Sequence, residues 1–405
     1  MLSQFFPPET GAGAKRVGPM AEVLNRHFDV TVLCLRPSYP SPALYKGLPL
    51  RSSDAKYLFK VKRAFTFHPH KGSLLIRALR EQLMAWGLLA YAAPLPADIV
   101  LASSPSMFLG PVGLLLAKAK RAKFVWDVRD ITWGYARDQL KGATPLMEFI
   151  GVALERYMLF VAHRADLVVG ASPGITQTFV KAGVSPSRAT TTFNGVSADL
   201  LEDLAQSTET TAHKPRPIVT YAGSIGYNQA LAVMLDVARM LPDVDFVMAG
   251  DGTELPSLVS KAAELNLTNV SFPGFLDRQE LLELYGKSDI LLGHAKNAPV
   301  INATMIPVKL FEYMATGKPV IYAGRGIASE FLSGIGCAVT TPPEDPTALR
   351  EAILSLLRDP KRMYALGRVG QTFIRHNFRR DVLMEELADT LKERFGTNEA
   401  PDNMN

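Results

Sequence analysis

The chain has 405 residues, 47% of them hydrophobic and 20% charged, and a formal net charge of +5. That length exceeds one ordinary core and predicts two domains of about 150 to 200 residues, while the composition excludes a disordered protein. Two cysteines far apart in sequence, Cys34 and Cys337, exclude a disulfide framework or a Cys-based metal site and fit a reducing cytoplasm.

The opening MLSQFFPPETG lacks the basic and apolar regions of a signal peptide. It reads as a short strand, followed by the Gly-rich loop Gly11–Arg16 and a helix over 18–26. Apolar, β-branched runs at 28–35 (FDVTVLCL), 98–103 (DIVLAS), 123–128 (KFVWDV) and 165–172 (ADLVVGAS) read as buried strands. Amphipathic segments at 107–120 and 145–163 alternate with them, which predicts βαβ units and a parallel sheet.

The tract 56–95 combines Lys56, Lys60, Lys62, Arg63, Lys71, Arg77 and Arg80 with Phe, Leu, Trp and Tyr. It reads either as a helix resting on an anionic bilayer or as a core helix beside a solvated basic loop. Its apolar run is broken by Arg77, Arg80, Glu81 and Gln82, so it is too short to cross a membrane. Residues 1–195 hold 24 Lys+Arg against 12 Asp+Glu, and the remainder holds 20 against 27. A basic first half marks either a surface for an anionic partner or chance composition.

Polar residues at 197–216 read as a linker, after which the βα rhythm restarts. Strand-like runs follow at 218–224, 245–252, 269–275, 289–295, 319–324 and 337–341. A final helix over 381–395 aligns Leu383, Leu387 and Leu391 on one face, and 396–405 reads as a disordered tail. The predicted division is an N-terminal domain 1–196, linker 197–216, C-terminal domain 217–375 and a helical segment 376–395 packing back toward the first domain. The expected architecture is α/β, with two Rossmann-like parallel-sheet domains facing across a cleft.

One stretch concentrates the chemistry: MIPVKLFEYMATGKPVI, 305–321. Pro307 suits a helix start and Gly317 a helix end, giving about ten helical residues before the next strand. The start, around Thr304, Met305, Ile306, Pro307 and Val308, offers backbone N–H groups and a positive dipole end to a phosphate. Lys309 and Glu312 are three apart, and periodicity alone reads them as a surface pair.

This segment resembles the signature helix of the retaining family-four glycosyltransferases, which have the two-domain GT-B fold. VWDVRDITW, ERYMLFVAHRADLVVGASPGITQTFVKAGV, YAGSIGYNQALAVMLDVARML, FVMAGDGTE and FPGF are similar to further family motifs in the family's order. The resemblance implies transfer of a sugar from a nucleotide-diphosphate donor to a glycan or lipid-pyrophosphate acceptor, as in cell-surface polysaccharide or lipopolysaccharide assembly. It implies Glu312 at the donor ribose, Gly274 and Phe275 near the base, and Gly223, Ser224 and residues 304–309 near the diphosphate. Gly13 and Arg16 would close over the phosphates from the first domain, with Lys309 and Arg16 supplying positive charge, and Asp130 would position the acceptor. No metal and no further cofactor is expected, and no nucleic acid partner. Location follows as cytoplasmic, peripheral at the membrane through 56–95.

The chain also departs from the family pattern. The family's Glu-x7-Glu has Thr304 where the first Glu stands, and the loop after YAG carries no Lys or Arg. A short opening strand places the expected true start upstream. These departures motivate a second reading, a non-catalytic GT-B scaffold; a third is an inverting enzyme or sugar-nucleotide epimerase. GAGAKRVG misses a dinucleotide fingerprint because Arg16 stands at the third glycine's position. DVD at 243–245 precedes a strand and reads as a turn, and the His68 and His70 pair reads as solvated loop rather than a metal site.

Overall fold

The computed structural model describes residues 1–9, 11–38, 42–66, 74–140, 142, 144–206 and 216–396. The His68–His70 pair, residues 207–215 of the expected linker and the tail from 397 lie outside them. The chain forms two compact units, Met1–Asn194 with Asp381–Asn405, and Gly195–Arg380.

The first unit holds seven strands: β1 (Leu2–Ser3), β2 (Thr31–Leu35), β3 (Lys60–Ala64), β4 (Ile99–Ser103), β5 (Lys123–Val128), β6 (Leu167–Gly170) and β7 (Ala189–Thr191). All pair in parallel, in the order β3-β2-β1-β4-β5-β6-β7. Helices cover both faces of such a sheet, so its central strands are buried and mostly apolar, with Asp127 of β5 the buried charged exception. Val32, Leu101, Val125 and Val169 meet Val17 and Met20 of the helix Ala12–Leu24. The last helix, Arg380–Phe395, completes this core with Met384, Leu387, Ala388 and Leu391. Segment 381–405 brings two basic and seven acidic residues, lowering the unit's charge excess from +12 to +7. Glu385 of that helix pairs with Arg26 and His27.

The second unit holds six strands: β8 (Ile218–Ala222), β9 (Asp245–Ala249), β10 (Val270–Gly274), β11 (Ile290–His294), β12 (Val320–Ala323) and β13 (Ala338–Thr341). They are parallel, in the order β10-β9-β8-β11-β12-β13. Tyr221, Phe246, Met248, Leu292 and Ile321 form the core with Met234, Leu235, Leu349 and Ile353 from the flanking helices. The segments leading into and out of this unit pair as a parallel bridge, Val196 with Arg379.

Several expectations need correction. The region 197–216 is not linker throughout, because Ala198–Gln206 is helical and lies inside the second unit. Its Leu200, Leu201 and Leu204 supply a helical apolar face that the surrounding acids disguise. The tract 56–95 is not one element but an edge strand, β3, and the helix Leu74–Ala92. Arg63 in β3 is committed to Asp54 and to the Pro7 carbonyl, so it is no free membrane-facing cation.

Candidate active site

In a doubly wound sheet, ligands bind beyond the carboxyl ends of the strands, where the strand order reverses. In the second unit that point lies between β8 and β11. The signature segment reaches it in three pieces. Pro299–Thr304 is one short helix, 305–307 is extended, and Val308–Ala315 is a second helix of eight residues with Pro307 at its N-cap and no side-chain cap. Pro307 therefore precedes the helix rather than opening it. Its missing N–H costs nothing there, and the first helical N–H groups keep the orientation an anion needs.

The 308–315 helix is pinned twice. Phe311 stacks on Phe378 at 5.1 Å between ring centroids. On the other side the Tyr313 hydroxyl donates to the Ala222 carbonyl at 2.9 Å and accepts from the Ala222 N–H at 2.7 Å. Tyr313 thus fixes the helix to the end of β8, and Lys309, one turn earlier, is delivered to the same place. The Lys309 amine donates to the Tyr221 hydroxyl and lies 3.7 Å from the centre of that ring. It also lies against Gly223, where a Cβ would come within 2.9 Å of the nitrogen. The Tyr221 hydroxyl donates onward to the Ser224 carbonyl at 2.5 Å. Burial lowers the Lys309 pKa to about 7, opposed by the nearby Glu312 carboxylate. Glu312 itself is half-buried on the next turn, within electrostatic reach of Lys309, Tyr285 and Tyr313.

Three strand ends form one floor. The Gly223 N–H donates to Ala249 O, the Gly250 N–H to Gly274 O, and the Ile225 N–H to Asp251 O. Gly223, Gly250 and Gly274 all have φ in the left-handed half, at 139°, 133° and 79°. A Cβ on Gly250 would lie 1.9 Å from Gly223 O, so this floor requires glycine. Ser224 and Phe275 are exposed beside it, Phe275 by 61%. Gly250 and His294 were not singled out as site residues from the sequence. A glycine closing each of the runs YAG, MAG and FPG was the signal for the first. His294, ending β11, is buried; its Nε2 accepts from the Glu344 N–H at 3.1 Å, so Nδ1 carries the proton given to Gln229 O at 2.7 Å. Burial lowers its pKa, and both ring nitrogens are occupied, so it is a neutral strut rather than a base.

Other expected residues take different roles. Thr304 is buried with its hydroxyl on Val300 O at 2.6 Å, and Ile306 is buried; the expectation for this stretch lay in its backbone N–H groups, of which that of Met305 is spent on Ile301 O at 3.0 Å. Met305 stays partly exposed. In the first unit Gly11–Arg16 is not a loop: residues 12–16 are the first turns of the Ala12–Leu24 helix. Arg16 is fully buried, clamped on Asp127 at 2.6 and 3.1 Å and donating to Thr192 O and Phe193 O. Releasing it would strand a buried carboxylate, so it is a structural tie rather than a phosphate ligand. Gly13 is buried where a Cβ would meet Phe5 and the Arg129 guanidinium at 2.9 Å. Arg129, not Arg16, is therefore the cation beside this helix start, and its Nε has no hydrogen-bond partner among the described residues. Asp130 follows it at the end of β5, half-buried, its pKa raised by burial against the pull of Arg129.

Residues 11–195 match the family described as glycosyl transferase 4-like domain, and residues 204–372 match the glycosyl transferases group 1. Among curated proteins the chain is similar to the D-rhamnosyltransferase WbpZ of Pseudomonas aeruginosa, at 28% identity over 39% of this chain and 40% of that one. A GDP-mannose-dependent monoacylated alpha-(1-6)-phosphatidylinositol monomannoside mannosyltransferase of Corynebacterium glutamicum is 24% identical over 41% and 44%. The matched stretch spans less than half the length of these relatives. The fold matches that of Anabaena HepE in complex with UDP and glucose, with a TM-score of 0.70 at 18% identity over 96% of this chain and 98% of that one.

Proposed function

The chain belongs to the glycosyltransferases, and from that premise we propose that it moves a sugar from a nucleotide-diphosphate donor to a glycan or lipid-pyrophosphate acceptor, with retention at the anomeric carbon. The observation that carries this reading is the convergence at the β8–β11 switch point. A half-buried amine, Lys309, an uncapped helix start and a glycine floor meet there, with a carboxylate one turn on.

In this reading the donor diphosphate lies against Gly223, Ser224 and the start of the 308–315 helix, with Lys309 as its counter-charge. Glu312 accepts from the ribose hydroxyls, and the base rests near Gly274 on the exposed Phe275 ring. The C1–O bond to the diphosphate breaks as the acceptor oxygen bonds C1 on the same face, and the acceptor proton passes to the departing phosphate oxygen. Donors fixed around that phosphate stabilise its developing charge, the term that usually dominates such catalysis. Arg129 and Asp130 are the acceptor-side candidates of the first unit. A lipid-linked acceptor would bring residues of the 56–95 tract to an anionic bilayer.

Hydrolysis of a panel of nucleotide sugars tests the proposal: free nucleotide diphosphate should be released and fall at least tenfold in Glu312→Ala. No release, together with no binding at millimolar donor, would sink it. One observation favours a second reading, a non-catalytic nucleotide-binding protein: the buried Thr304 offers no side chain to the transferred sugar. That reading predicts binding without turnover in the same assay.

A further inference from the structure

Exposed large apolar side chains are unevenly shared. Of the 23 among the described residues, seventeen belong to the first unit, and twelve of those sit on three of its helices. The helices are Leu74–Ala92, Leu109–Lys120 and Pro145–Arg164, and the second packs between the other two. Pro145–Arg164 is apolar on two opposite sides. Gly151, Met158, Val161 and Ala162 face the core. Leu146, Phe149, Ile150, Tyr157 and Phe160 recur at three- and four-residue spacing on an exposed stripe. At 1.5 Å per residue that stripe is about 21 Å long. On the 74–92 helix Leu79, Leu83 and Trp86 repeat the pattern, and Leu115 lies on the helix between.

A face of this kind exceeds the scattered apolar residues normal on a monomer. Its charges indicate what covers it. The three carboxylates of these helices are engaged within the protein: Glu81 with Ser106, Glu148 with the Gly142 N–H and Glu155 with Arg137. Lys118, Arg156 and Arg164 remain exposed around the stripes, Arg164 over the Phe160 ring at 4.8 Å. Tyr157 and Trp86, each half-exposed, carry the apolar body and polar tip that suit a headgroup boundary. No helix among the described residues is long and apolar enough to cross a membrane.

We infer that the three-helix face lies in the plane of an anionic bilayer, with the 145–164 stripe as its main anchor and the basic rim on lipid phosphates. This goes beyond the sugar-transfer reading and stands without it, because the docking needs no substrate.

The test is flotation of the full chain with vesicles of phosphatidylcholine containing phosphatidylglycerol, alongside Trp emission. Trp126 and Trp133 are fully buried, so a blue shift on vesicle addition reports Trp86. Binding should fall at least tenfold in Phe149→Ser/Ile150→Ser, and Arg156→Glu should weaken it on anionic but not on neutral vesicles. The thermal unfolding midpoint of each variant, compared with the parent, guards against misfolding. Absence of vesicle binding, equal binding by the double variant, or a dimer in sedimentation that the double variant dissolves would each overturn the inference.

Discussion

At the residue scale, Lys309 couples site chemistry to pH. Its pKa of about 7 lies below the 10.5 of an unstrained lysine, so between those values the unfolded chain holds the extra proton. Stability supplied through this group therefore rises with pH across that window, and below about 7 a buried charge opposes folding. Binding has the opposite sign. A nucleotide sugar, whose diphosphate does not titrate near neutrality, needs the charged amine and must draw a proton as pH rises. Its Kd should weaken by up to about tenfold per pH unit above 7, with proton uptake in calorimetry. Lys309→Met should flatten that profile. A wild-type Kd constant from pH 6 to 8.5 would remove Lys309 from the diphosphate. Arg16 makes a contrasting case: the sequence shows a cation near a glycine-rich turn, but its partner Asp127 lies 111 residues away, and no local pattern announces that pairing.

At the scale of elements, the site depends on how closely three strand ends approach. Gly250→Ala would put a Cβ into Gly223 O from a backbone conformation that costs about 1–3 kcal/mol for a non-glycine residue. The expected result is a lowered melting temperature and loss of the shift produced by nucleotide diphosphate; a variant that keeps both would show the floor to be dispensable. The elements that sequence reading located are those buried on both faces, such as β4, β11 and β12, whose apolar runs are continuous. β3, KVKRA, escaped because it is an edge strand alternating charge with apolar residues, and β7 because three residues carry no period. The Lys309–Glu312 helix was legible because Pro307 and Gly317 bracket it locally. Its attachment through Tyr313 to Ala222 was not, since that contact spans 91 residues.

At the scale of the whole molecule, the strand order 3-2-1-4-5-6 recurs in both units, with a seventh strand added to the first, and supplies two switch points. The alternation of strands and helices was enough to foresee two parallel sheets, but the chain's route was not fully visible. Leaving the second unit at Arg380, it returns to the first. Removing residues 381–405 should therefore take Met384, Leu387, Ala388 and Leu391 out of the first unit's core and cause aggregation of the truncated chain, read by light scattering. An equally monomeric truncated chain would contradict that.

The same return sets an order of events on the ribosome. The first unit is begun first and finished last, because Met384, Leu387, Ala388 and Leu391 emerge only after the entire second unit has been made. At about 5–20 residues per second, that interval is roughly 10 to 40 s. Throughout it the nascent chain carries an uncapped core, and chaperones holding that open groove would decide how much of the newborn protein survives.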